Sequence, residues 1–279
     1  MNMNFVARTF ATVLSLFLLA SCDRTPAPPL VFGAGAWPGY APFYLAKEQG
    51  YFADVNLRLA DYGSIPEVKK ALLSHELHVA ALPLGEALQL RRDIPDLKIV
   101  LLLDVSNGAD AILALPGIPD MKQLQGKRIG VENMGQGRYF LHLALQNSGM
   151  QDGQVESLAV SAGEMAAALR ARKVDAVVAS GARRLQLLEA GAQSLFDSSR
   201  TPGAMFDALV VRDDDIGRYH GELTRLVQGW QRALDLLHSQ PGQSAQSMAQ
   251  HERLTPEQFG KAMQGIELFG LRRNRELLL

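Results

Sequence analysis

Between Leu30 and Arg212, short apolar runs alternate with longer segments of helical period, and this alternation restricts the fold more than any other feature of the chain. Runs of aliphatic residues bounded by Gly, Pro or Asp read as strands, and longer amphipathic stretches between them read as helices. Together they predict an α/β protein built around parallel strands. The candidate strands are Leu30 to Ala34, Val55 to Ala60, Leu77 to Leu82, Leu97 to Leu103, Ala111 to Leu115, Arg128 to Val131, Val155 to Val160, Val174 to Ala179 and Ala208 to Arg212. The clearest helices are Ala41 to Gln49, Pro66 to Ser74, Gly85 to Arg92, Gly137 to Ser148, Gly163 to Arg172 and Arg183 to Ala190. After Asp213 the strand signals stop. Three helical stretches are expected there, Gly221 to His238, Gln243 to Gln250 and Pro256 to Ile266, the last opened by Thr255 as N-cap with a proline in the first turn.

The N-terminus has the three-part layout of a secretory signal: Arg8, an apolar stretch from Phe10 to Ala20, and small residues before Cys22. That stretch is shorter than the roughly 20 residues a helix needs to cross a bilayer, so removal of the segment is the expected fate. Leu19-Ala20-Ser21-Cys22 resembles the bacterial lipobox, which makes Cys22 the expected lipidation site. The chain has 1 cysteine, so no internal disulfide can form, and acylation accounts for the thiol. Two or three acyl chains, each contributing ~0.8 kcal/mol per buried methylene, hold a body firmly at a membrane surface. Asp23 resembles the inner-membrane retention signal of some lipoproteins. The run from Asp23 to Leu30, DRTPAPPL, reads as a Pro-rich spacer. The expected divisions are a signal peptide over 1–21, a spacer over 22–29 and a folded body from residue 30. With 28 basic and 29 acidic side chains, the charge carries no nucleic-acid footprint.

Ligands of open α/β sheets collect at the carboxyl ends of strands, so the strand-to-helix loops hold the candidate site residues. Trp37 and Tyr40 offer flat apolar faces with polar tips after the first strand. Ser64 follows the second strand, and Leu84 and Gly85 the third. Met134, Gly135, Gln136 and Arg138 open a helix whose free N–H groups and dipole suit an anionic or strongly polar group. The spacing meets neither a dinucleotide nor a P-loop motif: Gly135-Gln136-Gly137 lacks a third glycine, and Gly126-Lys127 lacks the earlier glycine and the hydroxyl residue. The six histidines lack paired ligand spacing and no G-x-S-x-G occurs, so no metal, cofactor or catalytic residue is expected. Ser106 and Asp110 stand just before the candidate strand Ala111 to Leu115. An ionised Asp110 accepts hydrogen bonds only, which suits a ligand amine and disfavours a bare oxyanion.

The string from Trp37 to Phe52, WPGYAPFYLAKEQGYF, resembles the opening of the nitrate/sulfonate/taurine-type substrate-binding proteins of ABC importers. Leu124 to Val131, Lys173 to Val178 and Asp207 to Arg212 are similar to later landmarks of that family, and the resemblance spans Leu30 to about Gly270. It implies a type II periplasmic-binding-protein fold. That means two α/β lobes with mixed, mainly parallel sheets, a C-terminal helical segment, and ligand caught between the lobes. The implied crossings lie at Asp110 to Pro116 and Gly203 to Arg212, giving one lobe over 30–116 plus 203–279 and another over 117–202. It also implies Asp207 as a cleft residue and a small-molecule solute such as a sulfonate, nitrate, taurine or a thiamine pyrimidine. The implied partner is an ABC permease in the inner membrane, met on the periplasmic side, and no nucleic acid or catalysis is implied. The alternative is a periplasmic sensor that reports ligand to a membrane signalling protein. Two departures separate this chain from the usual pattern: His75-Glu76-Leu77-His78 before the third strand, and Ala179-Ser180-Gly181-Ala182 at a cleft-facing loop.

Overall fold

The computed structural model describes residues 28–132 and 135–278; the signal, Cys22, most of the spacer and Met134 lie outside the described residues. The strands are β1 (Leu30–Ala34), β2 (Leu57–Asp61), β3 (Val79–Pro83), β4 (Leu97–Ser106), β5 (Asp110–Ala114), β6 (Arg128–Val131), β7 (Glu156–Ala159), β8 (Ala176–Ser180), β9 (Gln193–Asp197), β10 (Phe206–Arg212) and β11 (Ile266–Leu268). The helices are α1 (Ala41–Glu48), α2 (Ile65–Leu73), α3 (Leu84–Leu90), α4 (Gly135–Asn147), α5 (Met165–Arg170), α6 (Gly181–Glu189), α7 (Asp213–Arg218), α8 (His220–Ser239), α9 (Pro241–His251), α10 (Pro256–Met263) and α11 (Leu271–Leu278).

Two sheets result, in the orders β11-β4-β10-β3-β1-β2 and β7-β6-β8-β5-β9. In the first, β1 runs parallel to β2 and β3, whereas β10 is antiparallel to β3 and β4. In the second, β6 is parallel to β7 and β8, whereas β5 is antiparallel to β8 and β9. Each sheet is covered on both faces, which is why its inner strands read as unbroken apolar runs. On the first sheet, Leu30 and Phe32 of β1 face one core while Val31 faces the other. Phe43 of α1 fills the space between Phe32 and Trp230 of α8, with ring centroids 4.6 and 4.7 Å away. The indole of Trp230 donates to the Phe269 carbonyl at 2.9 Å. Truncating so buried a ring costs about 3–5 kcal/mol.

The chain passes between the sheets twice, from Ser106 to Asp110 and from Asp197 to Phe206. Strand Asp110–Ala114 therefore pairs within the second sheet, although the sequence reading joined residues 110–116 to the first lobe. Alternation alone cannot say which sheet an apolar run joins; that depends on partners far away in sequence. The two crossings are tied by hydroxyls. Ser106 Oγ lies 2.7 Å from Ser198 Oγ, which also accepts from Gly108 N at 2.7 Å. Asp110 N donates to Ser106 Oγ at 3.0 Å.

Beyond Asp213 the expectation of helices alone fails. β11 adds an edge strand beside β4, and its preceding turn reaches the first crossing, where Asn107 N donates to Gly265 O at 2.6 Å. α11 follows, and the amide of its buried Asn274 exchanges hydrogen bonds of 2.7 and 2.8 Å with the backbone of Leu102. α10 packs against α6 of the other lobe, so the tail helps hold the halves together.

Candidate functional site

A cavity of about 150 Å³ lies between the lobes, at the carboxyl ends of β1, β2, β3 and β8. Its floor is built on two aspartates that face each other across the β4–β10 ladder: Asp104 and Asp207 are register partners. Both are buried, at 0% and 3% exposure. The turn after β1 supplies their neutral partners. Trp37 Nε1 sits 3.3 Å from each carboxyl oxygen of Asp104, and the Tyr40 hydroxyl donates to Asp207 Oδ1 at 2.8 Å. Gly39 makes this possible, because a Cβ there would overlap the Trp37 indole nitrogen and the Asp104 carboxyl.

Two carboxylates so close and so dry cannot both ionise. Burial, then the charge of Asp207, pushes Asp104 well above the usual carboxylate range. Asp207 is raised by burial, while hydrogen bonds from Tyr40 and Asp104 hold it down. Their mutual interaction raises Asp104 and lowers Asp207, so Asp104 holds a proton the more tightly of the two. Asp110, at 5% exposure, stands beside them at the start of β5. Burial pushes it up to about 6 against the opposing effects of the Ser106 hydrogen bond and the Arg184 charge. Asp110 Oδ2 is buried with no hydrogen-bond partner among the described residues.

The walls come from both lobes. The first supplies Trp37, Tyr40, Ser64 and Glu252; the second supplies Gln136, Met165, Val178 and Arg183. Burial, then the charge of Asp61, pushes Glu252 up to about 7. Burial also raises Glu132, with Arg183 opposing. Two contacts between the lobes lie beside the cavity. The Gly181 backbone, at φ +52°, lies against Pro38, where an added Cβ would come within 2.9 Å of Pro38 Cδ. Glu86 of α3, 1% exposed, accepts from Lys69 Nζ at 2.7 Å and from the Gln136 backbone N at 3.0 Å.

Of the residues singled out in the sequence, Trp37, Tyr40, Ser64, Asp110, Gln136 and Asp207 line the cavity. Ser106 is buried in the hinge instead. Leu84 packs against the core beneath α2, and Pro83 lines the cavity in its place. Gly85 and Gly135 do not line it; Gly135 lies against Gln89 of the other lobe. Arg138 is exposed, because on α4 it follows the inward-facing Gly137; the cation at the cavity is Arg183. The α4 N-terminus, read as a receptor for a ligand anion, is met by Glu86. Asp104 was missed, though a lone carboxylate in the apolar run Leu101 to Val105 is itself a signal.

Two α/β lobes joined by two crossings and closed on a cavity define a periplasmic-binding-protein fold. Solved structures of that fold match most of the chain. The alkanesulfonate-binding protein SsuA from Xanthomonas axonopodis pv. citri, bound to MOPS, is 18% identical over 88% of each chain, with a TM-score of 0.72. The ligand-binding component of an ABC-type import system from Staphylococcus aureus, with zinc bound, is 16% identical over 88% of this chain and 86% of that one, with a TM-score of 0.73. The desulfurization enzyme DSZB is 16% identical over 87% and 84%, with a TM-score of 0.66. No curated protein matches the sequence. The model of the family described as NMT1/THI5 like matches residues 37–244, and the chain belongs to that family.

Proposed function

We propose that this chain is the solute-binding component of an ABC importer, tethered through Cys22 to the periplasmic face of the cell membrane. It captures a small organic solute between its lobes and presents it to a permease. The observation that carries this reading is the cavity itself, whose walls come from both lobes and whose floor lies beside two crossings joined at Ser106 and Ser198. A wall divided between two bodies exists only when they close, so ligand and closure stabilise each other.

In this reading Trp37, Ile65, Met165 and Val178 exclude water from the solute body, while Asp110, Gln136 and Arg183 meet its polar groups. Asp104 and Asp207 act behind them by fixing Trp37 and Tyr40. The S. aureus import component and the sulfonate-binding SsuA share the fold, which supports the reading. DSZB shares it too, so recovery of captured solutes belongs to the test.

Protein lacking residues up to Asp23, purified gently and examined by native mass spectrometry, should retain a solute that is released unchanged. A ligand at 100 times its Kd adds about 2.7 kcal/mol of stability. Retention of nothing, with no stabilisation by any compound in a broad metabolite screen, would contradict the reading. Cys22→Ala in full-length protein should move it from membrane to soluble fractions with affinity unchanged.

A further inference from the structure

We propose that the cleft selects solutes bearing a protonated nitrogen, an amine or amidine, and that Asp110 is the anion that receives it. This deepens the capture reading and rests on it. Asp110 lines the cavity, is 95% removed from solvent, and keeps one buried carboxyl oxygen without a partner among the described residues. An unpaired buried acceptor is costly, and a donor arriving with the solute satisfies it.

The surrounding charge points the same way. The cavity is lined by Asp110, Glu132, Asp207 and Glu252 against Arg183, among the described residues. Arg183 in turn lies close enough to Glu132 to oppose the rise that burial gives that carboxyl. Above about pH 7 Asp110 and Asp207 are both ionised, so the floor carries negative charge there. A sulfonate placed there would face this field.

One receptor for an oxyanion is also taken. At the start of α4 the Gln136 N–H points to Glu86 Oε1, and Lys69 neutralises the other oxygen of that carboxylate. The protein thus supplies its own anion where a helix dipole attracts one. Of the fully buried side-chain atoms without a partner among the described residues, the one that belongs to the cavity lining is Asp110 Oδ2, an acceptor.

The test uses compounds that share a body and differ in charge: 2-phenylethylamine with 2-phenylethanesulfonate, butylamine with butanesulfonate, and benzamidine with benzenesulfonate. Thermal stabilisation and calorimetry on the soluble body should favour the basic member of at least one pair by tenfold or more. Asp110→Asn should reduce that affinity by roughly 10–100-fold, the range for losing a charged hydrogen bond. Should the variant not fold, the wild-type ranking alone decides. Preference for the sulfonates, or amine affinity unchanged in folded D110N, overturns the inference while leaving solute capture standing. Where no pair responds, the solute retained in native mass spectrometry decides: a basic nitrogen supports selection, and an anion overturns it. No response and no retained solute removes the capture reading and this inference together.

Discussion

Asp104 and Asp207 sit opposite each other on β4 and β10, both buried, with Trp37 donating to the first and Tyr40 to the second. Burial raises both carboxyls, and their hydrogen bonds fix the two aromatics that wall the cleft.

Replacing Tyr40 with Phe removes one donor from Asp207 and leaves the rest of the ring in place. Losing a hydrogen bond to a buried charge costs about 1.5–3 kcal/mol. Urea unfolding should show that loss. A midpoint equal to that of the unmodified protein would mean the bond does not hold the turn.

Stability should depend on pH in an unusual direction. Asp104, Asp110, Asp207 and Glu252 all have folded pKa values above their unfolded ones. For such acids the folded state holds its protons more tightly, so their contribution is complete below about pH 4 and is lost as pH rises towards about 7. The melting temperature of ligand-free protein should fall between pH 5 and pH 8. Asp110→Asn, which leaves Asp104, Asp207 and Arg184 around the site, should flatten this fall and gain on the order of 3 kcal/mol at pH 8. A melting temperature that climbs across the same interval in both proteins would show that other groups dominate.

Gly181→Ala places a Cβ against Pro38 and asks an L-residue to hold a left-handed conformation, at about 1–2 kcal/mol. The clash falls on the closed contact, whereas the backbone strain falls on the fold itself. Affinity should drop about tenfold, and small-angle scattering should report a larger radius of gyration. Unchanged affinity and dimensions would place closure elsewhere.

Glu86→Ala frees the Gln136 N–H and leaves Lys69 without its partner. The exposed helix start should then accept an inorganic anion, so sulfate should raise the melting temperature of the variant more than that of the parent. Equal effects on both would show that Glu86 does not fill the position.

Much of the fold was legible in the sequence because strands buried on both faces leave continuous apolar runs. β1 and β6 lie where those runs predict. β9 and β11 were not foreseen, and each lies at the edge of its sheet. Gln193 and Ser194 of β9 are exposed, and β11 has 3 residues, too few for a period to register. The site was legible where a loop follows a strand, as at Trp37 and Tyr40. It was not legible where tertiary contact decides. Arg138 and Arg183 both stand at helix starts in the sequence, and only the packing of α4 and α6 distinguishes the solvated Arg138 from the cleft-facing Arg183.

The hydroxyl knot of Ser106 and Ser198 holds both crossings at one place, and Asp110 is bonded to it through its backbone N–H. Points beside a pivot travel least when two rigid bodies swing about it. Under the proposed closure Asp110 would keep nearly the same position throughout, whereas Arg183 and Met165 would arrive only as the lobes shut. Recognition in such a machine has a sequence in time: the charge is tested first, at a stationary post, and shape is tested afterwards by the moving wall.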